Sequence, residues 1–123
     1  MSTGHGLSAS PDAIPQLVPV FTFGLAAASV PALMLVIPVG GCGEFGRNLT
    51  AYVCAETLVL VDCGIQMPDD LSPGIDHFVC DLSALIARFG VPHAVVLTHG
   101  HEDHVGGVYH LLRTLERPIP VYG

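Results

Sequence analysis

The chain has no lysine and no tryptophan, and only 12% of its 123 residues are charged. Its four basic residues are all arginines (Arg47, Arg88, Arg113 and Arg117), and the formal net charge is −7. A face that grips a phosphate backbone needs clustered positive charge, so a large nucleic-acid-binding surface on this segment is not expected. The balance leaves open a nucleic-acid substrate held by regions outside the segment. The four cysteines, Cys42, Cys54, Cys63 and Cys80, form no C-x-x-C pair. That spacing supports neither a zinc ribbon nor a thioredoxin-type site, and it predicts reduced, mostly buried thiols in a cytosolic protein. No lysine or arginine precedes Arg47, so the positive n-region of a signal peptide is missing. Residues 13–42 carry no charge at all, but Pro15, Pro19, Pro31 and Pro38 interrupt that run. A membrane-spanning helix is therefore not expected.

What remains is a chain that is 50% apolar, enough for one small domain with one core. Residues 1–31 read as a mobile N-terminal extension outside the fold, with Met34 as an alternative start of translation, and residues 32–123 as the folded portion. Residues 33–39 form a short apolar run, hence a central strand with Pro38 at its end. Residues 40–46 (Gly40-Gly41-Cys42-Gly43-Glu44-Phe45-Gly46) require a tight loop with exposed backbone. Residues 49–54 and 57–61 read as a hairpin around Ala55-Glu56. Residues 67–74 are a loop. A helix follows, with Asp81 as N-cap, Leu82, Leu85, Ile86 and Phe89 on its apolar face, and Gly90 as its stop. Residues 94–97 form a buried strand. A second helix is expected over residues 106–116, with Val105, Val108, Leu112 and Leu115 on one stripe. Residues 119–122 begin another strand.

The densest chemistry lies in residues 98–107, Thr98-His99-Gly100-His101-Glu102-Asp103-His104-Val105-Gly106-Gly107. Three of the chain's seven histidines and one aspartate fall within six positions. His99 and His101 are two apart just after a strand, so extended backbone points both imidazoles to one side. Asp103 and His104 follow where the chain turns into a helix, and can face a second ion or complete a shared cage. Mixed imidazole and carboxylate donors suit zinc, or manganese as the carboxylate share rises. Two ions about 3.5–4 Å apart can acidify a bridging water and stabilise charge on the oxygens of the attacked group. The zinc-protease pattern H-E-x-x-H is absent, because its second histidine would be Val105. Residues 41–46 fit G-x-G-x-x-G after a strand, but the helix a dinucleotide-binding unit needs is replaced by strand formers such as Thr50, Tyr52 and Val53.

The pattern His99, His101, Asp103, His104 after a strand resembles the metallo-β-lactamase superfamily. Residues 37–48, 61–64 (Val61-Asp62-Cys63-Gly64), 73–76 and 98–107 are together similar to the ribonuclease J family, a branch carrying an inserted β-CASP domain. The resemblance covers residues 33–123. It implies an α+β fold, the N-terminal part of an αββα sandwich, incomplete over these residues. It further implies two zinc ions, with manganese possible. His99 and His101 would hold the first, Asp103 and His104 the second, and Asp62 would orient a ligand. A further histidine on each ion and a bridging aspartate have no match in the 123 residues, so the chain is expected to be the first part of a longer enzyme. That enzyme would be a cytoplasmic, metal-dependent hydrolase that cleaves RNA phosphodiesters with activated hydroxide, and would form homo-oligomers. The alternative is another hydrolase of the same fold, acting on a thioester, lactone or β-lactam, or a fragment that is catalytically incomplete.

Overall fold

A computed structural model describes residues 21–22, 33–115 and 117–123. Apart from Phe21 and Thr22, the expected extension over residues 1–31 lies outside the described residues. The described elements are β1 (Phe21–Thr22), β2 (Leu33–Gly40), β3 (Leu49–Cys54), β4 (Thr57–Val61), β5 (Ile65–Gln66), β6 (Phe78–Val79), α1 (Ser83–Phe89), β7 (Ala94–Val96), α2 (Glu102–Val105), α3 (Val108–Thr114) and β8 (Val121–Tyr122). Six strands form one mixed sheet in the order β1-β2-β3-β4-β7-β8, and β5 pairs with β6 apart from it. The α+β class holds, with one sheet of the sandwich and helices against it.

Strand alternation decides which sheet face is covered. β3 alternates buried and half-buried residues along its length. Leu49, Ala51 and Val53 share the buried face with Leu58, Leu60 and Val95, and Leu82, Leu85 and Leu111 close over it. Burying Leu58 or Leu60 fully contributes about 1.5–3 kcal/mol each. β2 and β3 pair antiparallel, with a register shift between Pro38 and Gly40. Pro38 thus lies within the strand, next to the irregularity that accommodates it. None of β2 is fully buried, and among the described residues only Leu33 and Met34 pair on its outer side, so the strand lies near the sheet edge rather than at its centre. The hairpin forms at Cys54↔Thr57, with Ala55 taking the positive φ (51°) that a tight turn needs.

β4 and β7 run parallel, Val59↔Ala94 through Val61↔Val96, and α1 lies in the crossover. The N-cap of α1 is Leu82 rather than the expected Asp81, which lies one residue earlier and whose Oδ1 accepts from the Ser83 N–H (2.8 Å) and hydroxyl. Gly90 ends the helix at φ 81°. The helix expected over residues 106–116 is α3, shorter at both ends, and a separate four-residue helix, α2, precedes it across Gly106-Gly107. Of the expected stripe, Val108 and Leu115 pack against the core, but Leu111 rather than Leu112 is the buried residue. The β5/β6 pair falls at the edges of a stretch read as loop.

All four cysteines are free, but only Cys63 is buried and Cys42 is exposed. Burial pushes the Cys63 thiol up to about 12, and Cys80 nearby adds to this. Cys63 therefore stays a neutral thiol at mildly alkaline pH and should resist alkylation in the native protein while Cys42 reacts. Peptide mapping after brief iodoacetamide treatment, with and without denaturant, checks this. Cys63 labelled as fast as Cys42 in the folded chain contradicts it.

The second sheet face is apolar and only half covered. The ladder places Val36, Tyr52, Val59, Val61, Val96 and Tyr122 on that one side. Val96 is 38% exposed and Tyr122 59%. The 123 residues on their own should therefore self-associate. Sedimentation should show oligomers that Val96→Glu reduces. A monodisperse wild-type monomer would contradict this.

Candidate metal centre

The candidate residues converge because parallel β4 and β7 end at the same sheet edge. Asp62 follows β4, and its backbone N–H still donates to Val96 O (2.8 Å). Its φ of 60° then turns the chain away from the sheet. Aspartate tolerates this left-handed conformation better than most residues. The side chain takes over where the backbone leaves. Asp62 Oδ1 accepts the Thr98 N–H at 2.8 Å, and the Thr98 hydroxyl lies 2.9–3.0 Å from both carboxylate oxygens. Asp62 Oδ2 also accepts from His104 Nδ1 at 2.8 Å. Burial would push the Asp62 carboxyl up, but the Thr98 N–H, the His104 ring and the Thr98 hydroxyl outweigh it and hold it below the ordinary carboxylate value.

These bonds dictate which ring nitrogens are free. With Nδ1 of His104 donating to Asp62, its Nε2 keeps a lone pair. The Thr98 hydroxyl donates to Asp62, so its oxygen accepts from His99 Nδ1 (3.0 Å), which leaves the lone pair on His99 Nε2. One buried carboxylate thus sets two imidazoles, one directly and one through a threonine.

The freed atoms fall into two pairs. His99 Nε2 and His101 Nδ1 are 3.2 Å apart, and His104 Nε2 and Asp103 Oδ2 are 3.5 Å apart. A tetrahedral ion with bonds of about 2.0–2.1 Å separates neighbouring donors by about 3.3 Å. Both pairs therefore fit one edge of such a site, and the rings of His99 and His104 lie 4.0 Å apart, which joins the pairs. Among the described residues no three His, Cys, Asp or Glu side chains form a complete cage. His77 and His110 lie apart, with their Nε2 atoms 2.7 Å from each other. His93 accepts the Leu58 N–H (3.2 Å). A cavity of about 850 Å³ between α1 and α3, lined by Ile86, Leu111 and Leu115 among others, contains none of the five candidate residues.

Two positions that contact the candidate residues carried no role in the sequence reading. Thr98 is the relay between Asp62 and His99. Asn48 reaches Asp103 Oδ2 (3.0 Å), Asp103 O (3.1 Å) and His104 Nε2 (3.2 Å) through Nδ2. A hydroxyl residue directly before a histidine was the available signal for Thr98. Asn48 lies 55 positions from Asp103, and only the fold joins them.

The depressed carboxyl of Asp62 gives a signed prediction. A group with a lowered folded pKa contributes stability above its unfolded value, which is lost as pH falls through the folded one. Asp62→Asn should lower stability at neutral pH by on the order of 1–3 kcal/mol, the cost of leaving buried partners poorly paired. The gap to wild type should shrink in acid, below the ordinary carboxylate range. Urea denaturation across pH measures this, and a gap that widens in acid contradicts it.

Residues 43–121 match the Metallo-beta-lactamase superfamily. Among curated proteins the chain is similar to ribonuclease J of Thermus thermophilus, 40% identical over 91 residues, which are 72% of this chain and 16% of that protein. It is also similar to ribonuclease J2 of Bacillus subtilis and ribonuclease J of Mycobacterium tuberculosis. Each is 41% identical over 88 residues, again 72% of this chain and 16% of the relative. The chain thus spans about a sixth of the length of these relatives. With the family match covering well over half of its residues, this chain belongs to the metallo-β-lactamase superfamily.

Proposed function

We propose that the chain is the N-terminal segment of a metal-dependent hydrolase that cleaves RNA phosphodiesters. The observation that carries the reading is the arrangement of four donor atoms. His99 Nε2 with His101 Nδ1, and Asp103 Oδ2 with His104 Nε2, form two pairs of metal-edge spacing at one sheet edge. His99 and His101 are assigned to one ion and Asp103 and His104 to the other, with zinc the expected metal and manganese the alternative. Bound divalent ions supply Lewis-acid charge and activation of water. The protein's part is to hold the donors in the right tautomer and rotamer, which Asp62 and Thr98 do from behind. RNA as substrate rests on the likeness to ribonucleases J of several bacteria. The acidic balance of these residues is why the grip on RNA is assigned to regions of the longer protein. Homo-oligomers and a cytoplasmic location follow from the resemblance to the ribonuclease J family.

The test is made on the full-length protein. 5′-Monophosphorylated RNA should be degraded, chelation should abolish this, and zinc or manganese should restore it. His99→Ala and His104→Ala should each lower the rate by more than about 100-fold, since even outer contacts to a metal site cost about 10–100-fold. Hydrolysis of a thioester, lactone or β-lactam by metal-loaded protein that leaves RNA intact would replace the substrate assignment.

A further inference from the structure

The glycine-rich loop of residues 40–48 has no role in the reading so far, yet it ends at the metal-edge atoms. Asn48 is tied to Asp103 at both ends. Its backbone N–H donates to Asp103 O (3.0 Å) and its own carbonyl accepts from the Gly64 N–H (3.0 Å). Its side-chain Nδ2 lies 3.1 Å from the same Asp103 carbonyl and 3.0 Å from Asp103 Oδ2. The carboxylate oxygen it holds is the one that faces His104 Nε2. A free aspartate on a helical turn samples several rotamers, and donors on both its carbonyl and its carboxylate remove that freedom.

The loop glycines make room for this clamp. A side chain at Gly41 would run into Asn48 Oδ1 and come within 3.1 Å of Asn48 Cα and Cγ. Gly41 also has a φ of 77°, which penalises any other residue. Gly41 is therefore the floor of the slot in which the Asn48 carboxamide lies. Gly64 allows the close approach on the other side, since a Cβ there would overlap the Asp103 carbonyl.

We propose that Asn48 is a positioning residue for the second ion of the site, and that the loop serves to seat Asn48 by way of Gly41. The proposal rests on reading Asp103 and His104 as ligands of one ion. It assigns Asn48 no part in holding the His99–His101 ion, because its contacts stop at Asp103 and His104.

The test titrates metal-free full-length protein with cobalt(II), following the visible spectrum and the heat of binding. Wild type should take up two equivalents. Asn48→Ala should weaken uptake of one equivalent by about 10–100-fold and leave the other unchanged. Gly41→Ala changes neither a ligand nor Asn48 itself, but its Cβ displaces the Asn48 carboxamide and should give the same selective loss. The double variant should be no worse than the single ones, because both act through one contact. Should alanine at position 48 unfold the chain, Asn48→Ser keeps a polar group in the slot but is too short to reach Asp103 Oδ2, and should show the same pattern. Variants that bind both equivalents as wild type does, or lose both equally, overturn the proposal while the functional reading stands. A wild-type protein that takes up no cobalt overturns both.

Discussion

The site depends on one substitution of side chain for backbone. The parallel ladder between β4 and β7 runs out at Asp62, whose N–H makes the last bond, to Val96 O. The chain then leaves the sheet through a left-handed turn. The Asp62 carboxylate takes the place of the missing carbonyl and accepts the N–H of Thr98. The conformation costs of order 1 kcal/mol for a residue with a Cβ. Bonds from the Thr98 backbone, the Thr98 hydroxyl and His104 offset that cost, and they exist only because the chain has turned. The same step that ends the strand orients two imidazoles.

Backbone bonds fix the remaining geometry. Cys63 N–H donates to His104 O, Gly107 N–H to Cys63 O, and Arg47 N–H to Ile65 O. Three separate stretches, residues 46–48, 62–65 and 103–107, are thereby laced into one floor beneath the histidines. The lacing also explains why α2 and α3 are not one continuous helix. Gly107 packs against the carbonyls of Cys63 and Gly64, where a Cβ would come within 2.9 Å of each. The close approach takes precedence over helix continuity, and α2 and α3 form on either side of it.

Much of this was legible in the sequence, and the gaps have physical causes. The strand pattern, the hairpin at residues 55–56 and the helix stop at Gly90 follow from local periodicity and turn chemistry, which the fold leaves intact. Residues 99–104 stood out as possible metal donors because they are local to one loop, whereas their division into two pairs came from the family resemblance. Asn48 could not be found in that way, since its significance lies in a contact across 55 residues. On the last helix the expected stripe holds at Val108 and Leu115, which pack against the core, but it names Leu112 where Leu111, the preceding residue, is the buried one.

A site built this way divides labour between two kinds of support. The His99 side is held through hydroxyl and carboxylate contacts made by Thr98 and Asp62 at the strand ends. Asp103 is held from the opposite direction by Asn48 in the loop after β2. His104 lies between the two, with Nδ1 donating to Asp62. An imidazole whose Nδ1–H is held by a buried carboxylate cannot flip or exchange tautomers without breaking that contact. His104 is accordingly the most constrained donor of the four. His101 is the least, since among the described residues its side chain meets only His99, a neighbour in the same loop. The donors are thus graded in rigidity from the sheet edge outward, and the firmest of them sit where three chain segments meet.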